Sequence, residues 1–169
     1  MVTSSTVNEG DIVNATGDAS VLNGEVQISP AQVEVVSSGN KLPPIWSMNM
    51  LSIGGGACGC QPALCDYRVP PKGKTRLLTK NGGLSNVGLL VKVFGTVTYT
   101  AADHFYLCDG VKYDDGSGID GIKVYTGALT EPVVGKKVQL TAISCCYVRG
   151  GNCVRLLRPR KQSDIVVLR

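Results

Sequence analysis

The sequence predicts an all-β protein built around a Greek-key barrel of five short strands. Three observations predict this class: 21 glycines distributed among short apolar runs, few stretches with helical periodicity, and a strand-turn-strand pattern that occurs twice. The pattern runs from Val7 to Val36 and returns in outline from Val133 to Val167, each time with a glycine turn between two alternating strands. A repeated β-module therefore organises the chain.

Length and composition restrict the class of protein. With 169 residues, 43% hydrophobic and 18% charged, the chain has the composition of a globular protein with one sizeable core. No apolar run approaches the roughly 18 residues of a membrane span. Met1 is followed by polar residues without a signal-peptide pattern. We therefore expect no membrane partner, and either a cytosolic protein or one whose leader lies outside this sequence.

Charge is distributed unevenly along the chain. Residues 1–57 carry five acidic side chains against Lys41 alone, whereas residues 58–169 carry sixteen Lys or Arg against eight Asp or Glu, a balance of +8. Such a balance is compatible with a polyanionic partner, because neutralised phosphates release counterions. It is equally common on ordinary solvated surfaces. Charge alone leaves both interpretations open.

The first elements form the clearest hairpin. Alternating strands run from Asp11 to Gly17 and from Glu25 to Val36, and the Asn23-Gly24 dipeptide between them can adopt the positive φ angles of a type I′ turn. Residues 37–44 end the pattern, because paired prolines cannot continue a central strand. We therefore place a partial module, the last strands of a preceding barrel, at residues 1–44.

Residues 45–87, called the connection below, join this hairpin to the next strands. The connection is rich in Gly, Pro, Cys and basic side chains. A structureless stretch of this length is unusual in a compact domain, so we expect it to be functional, cross-linked or packed on the barrel. Its basic residues are Arg68, Lys72, Lys74, Arg76 and Lys80.

From Gly88 onward the strand pattern is strong. In G-L-L-V-K-V-F-G-T-V-T-Y, one face carries Leu89, Val91, Val93, Val97 and Tyr99, and Gly95 marks the bend that coils a first strand around a small barrel. Further strands are predicted at 105–107, 121–125, 137–143 and 153–158, with 164–168 closing the chain. Five strands in this order describe an OB-fold Greek-key barrel over residues 88–169.

These segments resemble a known family. G-L-L-V-K-V-F-G-T-V-T-Y, F-Y-L-C-D, D-D-G-S-G, G-I-K-V-Y, V-V-G-K-K-V-Q-L-T and I-S-C-C are similar to the tandem OB-fold modules of bacterial, often secreted, proteins. The resemblance implies kinship with nucleic-acid-binding OB-folds and a secreted location. It also implies that residues 7–36 are the last two strands of an incomplete module, which a neighbouring domain or a second copy would complete. The motifs specify fold better than ligand.

An OB-fold usually binds through the outer face of its second and third strands. Alternation places Phe105, Leu107, Ile122 and Val124 inward, and it therefore predicts an aromatic and basic surface, on which bases stack and cations hold phosphates. The alternative is that the connection covers these aromatics and forms a second small core. The predicted nucleic-acid-binding residues are Lys92, Phe94, Tyr106, Lys123, Tyr125, Arg155, Arg158 and Arg160.

Seven cysteines permit two interpretations. Cys58, Cys60 and Cys65 lie within eight residues and are candidate zinc ligands, but C-x-C-x4-C lacks the paired C-x2-C spacing of strong zinc signatures. Disulfides or free buried thiols are favoured over zinc.

Catalysis has little support in the sequence. His104 is the single histidine, and the chain has neither a phosphate-binding loop nor a dinucleotide fingerprint. We therefore expect a non-enzymatic binding module without a cofactor, specific for single-stranded nucleic acid with weak sequence preference. The alternative is a structural or carbohydrate-binding accessory domain of a larger secreted protein.

Overall fold

A computed structural model describes residues 6–70 and 75–169. Strands make up 50% of the chain and helices 4%, so the all-β prediction is confirmed. Within those two ranges, no helix has the length and apolar character needed to cross a membrane. The chain divides into two compact units, Met1–Leu22 with Val26–Pro44 and Asn23–Glu25 with Ile45–Arg169.

The first unit is a two-stranded sheet of β1 (Ile12–Leu22) and β2 (Glu25–Ser37). The turn between them has φ of 53° at Asn23 and 83° at Gly24, which confirms the predicted type I′ geometry. β1 extends five residues beyond its predicted end at Gly17. Neighbouring apolar side chains such as Ile12 and Val13 are both exposed, so neither face of β1 is covered by a core.

The second unit contains a ten-stranded sheet. Two short 3-10 helices, Met50–Ser52 and Gln162–Asp164, accompany it. Its strands are β3 (Trp46–Ser47), β4 (Cys65–Arg68), β5 (Leu77–Lys80), β6 (Leu90–Thr100), β7 (His104–Cys108), β8 (Tyr113–Asp114), β9 (Ile122–Tyr125), β10 (Lys137–Arg149), β11 (Asn152–Arg158) and β12 (Ile165–Val167).

Five of these strands close into a ring. β10 pairs with β6, β6 with β7, β7 with β9, β9 with β11, and β11 pairs back with β10. Every pairing in the ring is antiparallel except that of β9 with β11, which is parallel. β4 and β5 continue the sheet beyond β11. The sheet is thus partly closed, as a β-barrel requires.

The interior of the ring is the main hydrophobic core, and it contains seven residues that alternation predicts to be buried in the barrel, whereas Leu89, which precedes β6 on the same predicted face, is 50% exposed. Met50 and Ile53, from the connection, are fully buried in the same core. The connection also supplies β3, β4 and β5, and β3 pairs with β6. The predicted core residues are Val91, Val93, Val97, Leu107, Val124, Val138 and Leu140.

One prediction about β6 is wrong. Tyr99 does not share a face with Val97, because the register shifts between these two residues: Val97 pairs with Leu107, and Tyr99 pairs with the next residue, Tyr106. The extra residue on β6 is Thr98, which forms a β-bulge. Tyr99 therefore lies on the outer face of the ring and is 40% exposed.

Candidate functional site

A cavity of about 160 Å³ lies on the outer face of the ring, where β9, β10 and β11 meet. In β9, Ile122 and Val124 face the core, so alternation turns the residues between and after them outward. The register of β11 places Leu156 beside Lys123. The cavity is lined by Lys123, Tyr125, Tyr147, Leu156 and Arg158.

This cavity combines accessible aromatic surface with cations. Tyr125 is 44% exposed. Lys123 Nζ lies 5.5 Å from the centroid of the Tyr147 ring, within the range of a cation–π contact. The side chain of Arg158 is 47% exposed and its guanidinium lies 3.6 Å from the carboxylate of Glu25. Surface ion pairs of this length contribute little energy, so Arg158 can exchange its partner for a ligand anion at low cost.

Asp115 fixes the orientation of two tyrosines at the edge of the cavity. The hydroxyl groups of Tyr106 and Tyr147 both donate to Asp115 Oδ2, with the Tyr106 bond at 2.7 Å. Burial raises the pKa of Asp115, but hydrogen bonds from Ser117, Tyr147 and Tyr106 outweigh that effect, and its pKa lies below the usual range. Burial raises the pKa of Tyr147 well above the usual tyrosine value. Tyr147 is therefore a neutral ring held in a fixed position.

Two further aromatic rings, those of Tyr99 and His104, adjoin the cavity lining. With Tyr106 they form a cluster in which the ring centroids lie 5.9 to 6.0 Å apart. The pairing of β7 with β9 sets His104 opposite Tyr125 and Tyr106 opposite Lys123, so this cluster and the cavity share one face. His104 Nδ1 lies 2.5 Å from Asp103 Oδ1, and this hydrogen bond lowers the pKa of Asp103.

Three of the eight residues predicted to bind nucleic acid meet at the cavity: Lys123, Tyr125 and Arg158. Two others lie on β6 and do not line it: Phe94 is 48% exposed and Lys92 is half-buried. Phe94 pairs with Gln139 and Lys92 with Thr141, both on β10.

The expectation that Tyr106 and Arg155 are exposed is wrong. Tyr106 is 2% exposed, because its hydroxyl bonds to Asp115. Arg155 is 3% exposed, and its guanidinium lies 2.9 Å from Asp66 Oδ2. Arg160 is exposed, but its guanidinium donates to both carboxylate oxygens of Asp164 at 3.1 Å.

The two arginines of the connection also have carboxylate partners, whereas Lys80 is exposed on β5. Arg68 donates to both oxygens of Asp66, and Arg76 forms ion pairs with Asp114 and Asp120. Lys72 and Lys74 lie outside the described residues. The paired arginines tie the connection to itself and to the 113–120 turn.

The candidate zinc ligands do not converge. Cys58 and Cys60 are exposed on a tight turn, whereas Cys65 is buried at the start of β4, where burial raises the pKa of its thiol. Over residues 6–70 and 75–169, no group of three or more His, Cys, Asp or Glu side chains has an arrangement that could hold a metal ion.

Sequence reasoning missed Tyr147 and Leu156 in the cavity and Tyr99 and His104 beside it. Tyr147 could have been found by extending the predicted strand 137–143 through the alternating segment to Arg149. Leu156 lies two residues before Arg158, on the same face of a strand that was predicted. No local sequence pattern predicts the outward position of Tyr99, because that position depends on the bulge. Comparison with protein-family profiles, curated proteins and solved structures found no match to this chain.

Proposed function

We propose that the ring of five strands is an OB-fold that binds single-stranded nucleic acid on its outer face. The strand connectivity supports the fold assignment. In chain order the ring strands are β6, β7, β9, β10 and β11, and around the ring they run first, second, third, fifth, fourth. The third and fifth strands are parallel, and the other neighbours are antiparallel. A five-stranded Greek-key barrel of this kind commonly binds oligonucleotides or oligosaccharides.

The observation that carries the proposal is the exposed Tyr125 ring beside Lys123 and Arg158 in one cavity. A base stacked on an aromatic ring gains about 1 to 3 kcal/mol with little dependence on sequence. A lysine and an arginine at the rim supply the positive charge that flanking phosphates need. The contact is compact, so we expect it to hold one or two nucleotides and to show weak sequence preference.

A second candidate is carbohydrate binding by an accessory domain of a larger secreted protein. Arg68, Arg76, Arg155 and Arg160 all have carboxylate partners, which lowers the positive charge available to a polyanion. An aromatic platform with few uncompensated cations suits a neutral sugar ring as well as a base. The dependence of binding on salt separates the two candidates.

The test is titration of a fluorescently labelled oligothymidylate and of neutral oligosaccharides at two salt concentrations. For nucleic acid, Tyr125→Ala should weaken binding by about 5- to 150-fold, the equivalent of about 1 to 3 kcal/mol of stacking. Trp46→Ala is the control, because this ring is also exposed, lies outside the cavity lining and is not among the predicted binding residues. It should leave the affinity unchanged.

The charge test uses Arg158→Ala with Lys136→Ala as control, since Lys136 is exposed and outside the cavity lining. Loss of one phosphate contact should reduce the log–log salt slope by about 0.7 for the Arg158 variant only. A tyrosine effect without a salt slope would favour the sugar. Absence of binding to either ligand at low salt would overturn both candidates.

A further inference from the structure

We propose that Cys146 on β10 and Cys153 on β11 form a thiol–disulfide exchange site that reacts with low-molecular-weight disulfides. Both cysteines are free and buried. In the register of the hairpin, Cys146 lies opposite Arg155 and Cys153 opposite Val148. The two cysteines are therefore diagonal neighbours on one face of the strand pair.

The sulfur atoms share the same surroundings. Both thiols donate to the carbonyl oxygen of Gly24, at 3.1 Å from Cys146 Sγ and 3.4 Å from Cys153 Sγ. Gln61 Nε2 donates to both sulfurs, at 3.5 and 3.8 Å. A Cβ at position 24 would lie 2.8 Å from Cys153 Sγ, so a glycine is needed there.

This arrangement distinguishes an attacking sulfur from a resolving one. The thiolate is the nucleophile in exchange, and the Gln61 amide that would stabilise it lies nearer to Cys146 Sγ (3.5 Å) than to Cys153 Sγ (3.8 Å), so Cys146 takes the attacking role. In keeping with this, the neighbouring Cys153 sulfur and the bond from Gln61 lower the pKa of Cys146 against the opposing effect of burial. The neighbouring Cys146 sulfur and burial raise the pKa of Cys153.

The reaction balances with a small disulfide, RSSR, as the oxidant. The Cys146 thiolate forms a bond to one sulfur of RSSR and expels RS⁻, which takes up the proton that Cys146 lost. Cys153 then loses its proton, attacks Cys146 Sγ in the mixed disulfide and expels the second RS⁻. Two protein thiols are oxidised, RSSR is reduced to two RSH, and a Cys146–Cys153 disulfide remains.

The geometry indicates an exchangeable bond rather than a permanent one. Diagonal neighbours in an antiparallel pair have Cα atoms about 7 to 8 Å apart, whereas a relaxed disulfide spans about 4.4 to 6.8 Å. Closing the bond therefore requires the backbone of β10 or β11 to shift, which strains the disulfide. Strained disulfides are reduced more readily than structural ones.

The test uses the folded protein with Cys58→Ser and Cys60→Ser, because these two exposed thiols would otherwise form mixed disulfides of their own. The protein is equilibrated in reduced and oxidised glutathione at varied ratios, quenched in acid, alkylated after denaturation and digested with trypsin. Cys146 lies in the peptide 138–149 and Cys153 in the peptide 150–155. A disulfide joins the two peptides with the loss of two hydrogen atoms.

We expect the joined peptides to rise from about one tenth to about nine tenths of the protein over a roughly hundredfold change in [GSH]²/[GSSG], as a two-electron couple requires. Cys145→Ser is the matched control, since Cys145 lies in the same peptide but on the other face of β10, opposite Leu156. The cross-link should persist in that variant and disappear in Cys146→Ser.

Three outcomes would overturn the proposal. The first is glutathione adducts without a cross-link at any ratio, and the second is a cross-link that survives Cys146→Ser. The third is a cross-link that forms only after the protein is unfolded in urea. The measurement on the parent protein needs no substitution in the core, so it holds even if a buried variant fails to fold.

Discussion

Replacing Arg155 with methionine removes the cation that joins the connection to the barrel. The guanidinium bonds to Asp66 Oδ2 at 2.9 Å and to the carbonyl oxygens of Met50 and Leu51 at 3.2 and 3.0 Å. Its side chain and that of Asp66 are only 3% and 2% exposed. Removing one partner of such a buried pair costs about 3 to 5 kcal/mol, because the remaining charge stays desolvated.

Arg68 continues to bond to Asp66 in the Arg155→Met variant, which favours the lower end of the range of about 3 to 5 kcal/mol. The two carbonyl oxygens that lose their arginine donor each add about 1 kcal/mol to the cost. For a chain of this size, 3 to 5 kcal/mol corresponds to a fall of about 6 to 20 °C in Tm. Urea unfolding followed by circular dichroism gives the free energy directly.

Arg158→Met is the matched control, because it removes the same charge three residues further along β11, from a side chain that is 47% exposed. Its free energy of unfolding should stay within about 0.5 kcal/mol of the parent. If Arg155→Met also left the free energy of unfolding unchanged, the buried ion pair would not hold the connection, and the structural role assigned to Arg155 would be wrong.

Two further predictions concern stability. The folded chain holds the pKa of Asp115 below its usual value, so the unfolded chain takes up the proton first as pH falls. The stabilisation from this carboxylate is therefore complete above about pH 4 and is lost as the pH falls below that value. Asp115→Asn should make the urea midpoint fall less steeply below that pH. An unchanged pH dependence of the urea midpoint in this range would contradict the prediction. At Gly121 an added Cβ would lie 2.3 Å from the Leu107 carbonyl oxygen, whereas at Gly118, also at positive φ, it would meet nothing within 4 Å. Gly121→Ala should therefore destabilise the fold by about 1 to 3 kcal/mol more than Gly118→Ala, by urea unfolding, and equal losses would show that the clash is relieved by backbone movement.

The inner face of the barrel could be predicted from the sequence because it depends on alternation alone. Val91, Val93 and Val124 are buried as the period of two requires. The type I′ turn at Asn23-Gly24 was equally accessible, since the preference of this dipeptide for positive φ is local. In both cases the local sequence was sufficient to predict the structure.

The outer face was harder to predict, because exposure there depends on distant residues. Tyr106 faces away from the core as predicted, yet Asp115 returns from the next turn and binds its hydroxyl. Arg155 belongs to a strand that was predicted, but its partner, Asp66, lies in the connection, and nothing in the local sequence pairs them. Alternation predicts the direction in which a side chain points, but whether that side chain is buried also depends on which residues cover that face of the strand.

The bulge at Thr98 determines which side chains of β6 lie on the outer face of the ring. A strand alternates with a period of two, and one extra residue inverts the phase of everything that follows it. Because Thr98 is the unpaired residue, its loss would leave Tyr99 directly after Val97 and still paired with Tyr106, so Tyr99 would stay on the outer face of a regular strand. If instead Thr98 paired with Tyr106, Tyr99 would turn toward the core. The aromatic cluster of Tyr99, His104 and Tyr106 therefore depends on which residue of β6 pairs with Tyr106, and a shift of the register by one residue dissolves it even if every side chain is retained.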